Sequence, residues 1–141
     1  MQTTPRPDLA SHLRLTIARA ARRLRQEAGS DLSPSMTAAL ATIERHGPMT
    51  PSELAARERI QRPTATRVLA RLEEMGLIAR TPDPQDRRSS LVAVTPGATA
   101  MLAEQRTRKT AFLAERLDRL EPADRAALER AADILERMLS E

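Results

Sequence analysis

A chain of 141 residues is long enough for one domain and barely long enough for two. Its hydrophobic 40% includes a single aromatic residue, Phe112, and no cysteine, which excludes a disulfide scaffold, thiol redox chemistry and cysteine-ligated metal or iron–sulfur centres. The formal charge of +4 is carried almost wholly by arginine, Lys109 being the only lysine, and is compatible with a polyanionic partner without identifying one. No run approaches the roughly 18 uncharged apolar residues of a membrane helix. No apolar stretch follows the N-terminal charges as in a signal peptide, so the expected location is the cytoplasm. A core made of Leu, Ala, Val, Ile and Met buries little area per residue, which favours packing against a second copy.

Residues 1–8, with two prolines, read as an arm. From Leu9 the apolar positions Leu9, Leu13, Ile17 and Leu24 recur at helical spacing, and Gly29 fits the stop. The other face carries Arg14, Arg19, Arg22, Arg23 and Arg25. Ser33-Pro34 predicts a second helix, a serine cap followed by proline in the first turn, with Met36, Leu40 and Ile43 inward. Thr50-Pro51-Ser52-Glu53 is a capping box opening a short helix to about Arg57. After a turn within residues 58–61, a further helix is predicted from Arg62 to Met75, stopped by Gly76. Its inward stripe is Ala65, Val68, Leu69, Leu72 and Met75.

The period then changes. Residues 77–80 and 91–94 read as two short strands joined by a long polar tip, residues 81–90. Thr95-Pro96 starts a long helix to about Leu120, whose polar middle, residues 104–110, is expected to span solvent or touch other elements only lightly. Pro122 opens the last helix, with Leu128, Leu135 and Met138 on one side and Glu121 as a poor cap. The expected fold is mainly α: a winged helix-turn-helix lobe at 33–95 with a two-stranded β wing, flanked by a first dimerisation helix at 1–32 and C-terminal dimerisation helices at 96–141.

Two helices joined by a tight turn and followed by a basic hairpin form a double-stranded DNA reader. A helix fits the major groove, and side chains near its N-terminus reach base edges. Gln61, Arg62, Pro63, Thr64, Thr66 and Arg67 crowd that end, with Arg71 one turn further, placed to meet phosphate. Over residues 51–71 five arginines face two glutamates. At the hairpin tip Arg87 and Arg88 suit a narrow minor groove or phosphate. Asp86 would repel phosphate and makes better sense as a brace, pairing with one arginine and capping the turn.

The pattern Asp86-Arg87-Arg88, then Leu91-Val92-Ala93-Val94-Thr95-Pro96-Gly97, resembles the wing of the MarR family of bacterial regulators, with valine at 94 in place of the usual leucine. Residues 62–67, Leu72-Glu73 and Gly76-Leu77-Ile78 are similar to that family's recognition stretch, and the likeness covers nearly the full length. The resemblance implies a homodimer interlocked through the first and last helices, here Leu9, Leu13, Ile17, Leu128, Leu135 and Met138, with Phe112 as the one bulky anchor. It implies Arg88 as the residue inserting into the minor groove, and a pseudo-palindromic operator. It also implies repression relieved by a small aromatic or phenolic anion, with a crevice near His12, Arg14, Met36 and Leu40 as the candidate site. The absence of Tyr and Trp weakens a stacking pocket. The absence of cysteine separates the chain from peroxide-sensing members, and His12 and His46 lack a ligand set for a metal. No cofactor is expected. Three other readings remain open: a ligand-independent regulator, an activator, and a winged-helix protein-interaction module. An enzyme is not expected, because no nucleophile or acid–base pair is in view.

Overall fold

The computed structural model describes residues 8–140; most of the expected arm, residues 1–7, lies outside them. The chain runs α1 (Leu9–Ala28), α2 (Pro34–His46), α3 (Pro51–Glu58), α4 (Arg62–Glu74), β1 (Ile78–Pro82), β2 (Ser90–Val94), α5 (Pro96–Leu117) and α6 (Pro122–Leu139). It divides into two compact units. One is Ala28–Arg106; the other joins Met1–Glu27 and Thr107–Glu141.

Local chemistry explains most of the boundaries. Asp8 accepts the backbone N–H of Ser11 at 2.9 Å and its hydroxyl at the same distance, so the last residue of the expected arm caps α1. Those bonds, the backbone one first, hold the Asp8 carboxyl below its ordinary value. Ser33 caps α2 by accepting the N–H of Met36 at 3.2 Å. Thr50 and Glu53 satisfy each other's backbone N–H groups, the reciprocal pattern expected for α3. Gly76, at φ 71°, supplies the left-handed turn after α4.

The first unit buries Leu32, Leu40, Ile43, Met49, Leu54, Leu69, Leu72, Leu77, Ile78 and Val92 in one core. β1 and β2 pair antiparallel, with Ile78 opposite Val94 and Pro82 opposite Ser90. The strands therefore extend into the expected loop, and the tip shrinks to residues 83–89. Met49 and Val92 exchange backbone bonds of 3.1 and 2.8 Å, fastening β2 to the loop before α3. Because a two-stranded hairpin is marginal alone, this bridge and the burial of Ile78 and Val92 help to hold its base.

Two expectations need correction. Met75 does not join the buried stripe of α4; the helix ends at Glu74, and Met75 is 39% exposed as the chain turns away. The polar stretch of α5 is not merely solvated. Ala98, Leu102 and Gln105 fall at i, i+4 and i+7 and are all buried, so the glutamine continues an apolar stripe. Next to it Arg106 pairs with Glu44 of α2 at 2.8 Å. Thr95 roots the helix, donating to the Gly76 carbonyl at 2.9 Å while accepting the N–H of Ala98.

The second unit has far less interior. α6 has no buried residue, despite apolar positions at helical spacing, and its entry cap Glu121 makes no side-chain bond. The guanidinium groups of Arg116 and Arg23 lie 3.6 and 5.2 Å from the centre of the half-buried Phe112 ring, a cation–π arrangement joining α5 to α1. No helix among the described residues is long and apolar enough to cross a membrane.

Candidate nucleic-acid interface

Helices α3 and α4 are joined by Arg59–Gln61. Arg59 ends α3 in the left-handed region, φ 54° and ψ 45°, while its N–H bonds back into the helix. Inside this turn the hydroxyl of Thr42 on α2 donates to the Glu58 carboxylate, which fixes that acid against the lobe. Helix α4 then buries Ala65, Leu69 and Leu72, which leaves its opposite face outside. Gln61, Arg62, Pro63, Thr66, Arg67 and Arg71 are exposed, and Thr64 is half-buried.

The start of α4 is open to an anion. Gln61 makes no side-chain cap, Pro63 has no N–H, and the first helical bond is that of Ala65 to the Gln61 carbonyl. Among the described residues, the N–H groups of Arg62 and Thr64 take no cap or backbone partner at the positive end of the helix dipole, where a phosphate oxygen would be favoured. One turn on, Thr66 donates to the Arg62 carbonyl at 3.0 Å. Arg71 pairs with Glu74 at 3.2 Å.

At the wing tip Arg87 and Arg88 are exposed. The Asp86 carboxylate accepts the backbone N–H of Arg88 at 3.0 Å, and the Asp86 carbonyl accepts that of Ser89. Among the described residues no ion pair joins Asp86 to either arginine side chain; the carboxylate shapes the turn through the backbone and leaves both guanidinium groups outward. A second such turn, from Gln85 N–H to Asp83 at 3.0 Å, stiffens the other side of the tip. Sequence reading missed Arg80, which pairs with Glu73 of α4 at 2.5 Å. The signal was available: Arg80 is two residues from buried Ile78, hence on the strand face that Ile78 turns toward the lobe, within reach of an acid at the end of α4.

The expected effector residues are dispersed between the units. His12 and Arg14 are exposed on α1. Met36 packs against the lobe core and lines an open groove of about 330 Å³ with Thr64, Arg67 and Arg71. Leu40 lies wholly inside that core. Of the expected dimerisation residues, Leu9, Ile17, Leu128 and Met138 are exposed, and Leu13, Phe112 and Leu135 are half-buried. No group of three or more His, Cys, Asp or Glu able to hold a metal occurs among the described residues.

The sequence pattern of the MarR family matches residues 32–90, which takes in α2, the helix-turn-helix and the wing tip. An uncharacterised HTH-type transcriptional regulator of Mycobacterium bovis is 40% identical over 134 residues, 94% of each chain. Among solved structures, a putative transcriptional regulator of Pseudomonas aeruginosa superimposes with a TM-score of 0.84 at 34% identity, covering 94% of each chain. A MarR family protein from Bacillus stearothermophilus shares the fold, with a TM-score of 0.79 at 21% identity over 95% of this chain and 94% of its own. The outward face of α4, the arginine-tipped wing and these likenesses agree: the chain belongs to the MarR family of winged helix-turn-helix, DNA-binding transcriptional regulators.

Proposed function

We propose that this chain acts in the cytoplasm as a homodimeric repressor that grips a pseudo-palindromic operator and is released by a small aromatic or phenolic anion. In this reading α4 enters the major groove of each half-site, with Gln61, Arg62, Thr66 and Arg67 toward base edges and Arg71 toward phosphate. Arg87 and Arg88 reach the neighbouring minor groove. The observation that carries it is the sidedness of the lobe: one face of α4 is buried, and every arginine of the other face and of the wing tip is exposed. The homodimer is supported by α6, which leaves Leu128, Ile134, Met138 and Leu139 exposed and buries no residue. An uncovered stripe of this kind needs a second copy to be stable in water.

Release by an effector rests on population shift. The ligand must bind better to a spacing of reading helices that DNA disfavours. A regulator that answers to no ligand is the second reading, favoured by the absence of Tyr and Trp to stack on a ring. Selection of bound duplexes from random DNA with the purified protein tests the first part. Recovered sites should be inverted repeats with half-site centres roughly one helical turn apart. Asymmetric or featureless recovered sites would refute it. Titration of the operator complex with a hydroxybenzoate then separates the two readings: release supports the first, and undiminished binding supports the second.

A further inference from the structure

β1 sends one side chain, Ile78, into the core, and its next four residues are exposed. Strand alternation puts Arg80 on the face of Ile78, directed back toward the lobe and opposite Val92 in the register. Its partner sits on the last turn of the reading helix: Arg80 Nε donates to Glu73 Oε2 at 2.5 Å. A terminal nitrogen of the same guanidinium approaches Ser90 Oγ across the hairpin at 3.4 Å. One side chain thus links α4 to both wing strands, outside the core. Among the described residues, no other hydrogen bond or ion pair joins β1 beyond Ile78 to α4. The far edge of the hairpin is secured separately, through the Met49–Val92 backbone bridge.

We propose that Glu73 is a positioning residue: through Arg80 it fixes the angle between the reading helix and the wing, and so the separation of the two groove contacts. The proposal rests on the DNA reading given above. A lobe that must occupy two grooves at once binds best when the second contact is already in place after the first, because less freedom is lost on docking. An untethered carboxylate at that end of α4 would only repel phosphate. The two accounts of Glu73 therefore predict opposite signs. Removing a bare anion tightens binding to every duplex; removing a tether weakens binding to the operator.

The test uses operator duplexes selected with the wild-type protein and titrates them with wild type, Glu73→Gln, Arg88→Ala and the double variant. Hydrogen exchange of the free proteins is followed in parallel. Glu73→Gln should bind the operator about 2- to 5-fold more weakly, the range open to one exposed ion pair. It should cost nothing further once Arg88 is gone, since both changes act through the same wing contact. Residues 79–91 should exchange faster in free Glu73→Gln while residues 62–74 keep wild-type protection. Tighter or unchanged operator binding by Glu73→Gln, or an additive loss in the double variant, overturns the positioning role and leaves DNA reading intact. An Arg88→Ala variant that binds like wild type overturns the wing contact and this proposal with it. A wild-type protein that selects no duplex overturns both.

Discussion

Thr66 donates its hydroxyl to the backbone carbonyl of Arg62, one turn back along the reading helix, at 3.0 Å. The hydroxyl proton is thereby committed within the helix, and in the proposed complex the methyl is the group left to meet a base. Thr66→Val should keep operator affinity within about twofold, whereas Thr66→Ser should lose about fourfold, the worth of one buried methyl. Competition among single-base operator variants measures both. A loss confined to Thr66→Val would make the hydroxyl the reader instead.

In the proposed complex Arg71 has a different task. It is paired with Glu74 at 3.2 Å on the exposed surface, so it can exchange that carboxylate for a phosphate. Arg71→Ala should weaken all duplexes alike and reduce the slope of log affinity against log salt by about 0.9. Glu74→Gln should strengthen all duplexes by about 2- to 5-fold. Arg67→Ala, by contrast, should change the preferred sequence in a repeated random-DNA selection. Equal losses on every duplex for Arg67 and Arg71 would remove the distinction.

The wing depends on a turn built by Asp86. Arg88→Ala should lower operator affinity about tenfold, the order expected for one charge-assisted hydrogen bond, with the dimer intact in sedimentation. Asp86→Ala should lose less, and Asp86→Asn should stay near wild type, because an amide oxygen can still accept the Arg88 N–H. Fluorescence anisotropy on labelled operator ranks the three. An Asp86→Asn variant as weak as Arg88→Ala would show that the negative charge, not the turn, matters.

Arg59 occupies a left-handed conformation, φ 54°, that glycine adopts without strain. Arg59→Gly should stabilise the lobe by about 0.5–1 kcal/mol once glycine's extra unfolded-state entropy is set against the relieved strain. Urea unfolding gives the sign. Destabilisation would mean that the Arg59 side chain holds the turn through packing.

Met138 is 59% exposed on a helix with no buried residue. Met138→Glu should shift the protein toward monomer in sedimentation equilibrium, with the thermal unfolding of the 28–106 lobe little changed. A dimer of undiminished affinity would place the interface elsewhere.

The helix starts and stops of this fold are local devices, and they were readable. Ser33-Pro34, the Thr50–Glu53 box and Gly76 each act within a turn of chain, so their chemistry is complete in a few consecutive residues. The sidedness of α4 was equally legible from the spacing of Ala65, Leu69 and Leu72. Met75 misled because the same spacing continued one residue past the point where the backbone turned. Gln105 misled because its polar end hid a stem that extends the stripe of Ala98 and Leu102.

Periodicity and capping, both properties of neighbouring residues, were thus determined by the sequence alone: eight elements in order, a reading helix with arginines outward, and a wing with an acid at its turn. Only the folded chain decided which distant charges meet. Glu73 finds Arg80 because the hairpin folds back on the end of α4, Glu44 finds Arg106 because the first turns of α5 belong to the lobe, and Phe112 takes Arg23 of α1 as well as Arg116 of its own helix. These pairings depend on how elements pack, which no window of sequence contains. Charge attraction is too weak at exposed sites to impose them and follows the packing once the core has set it.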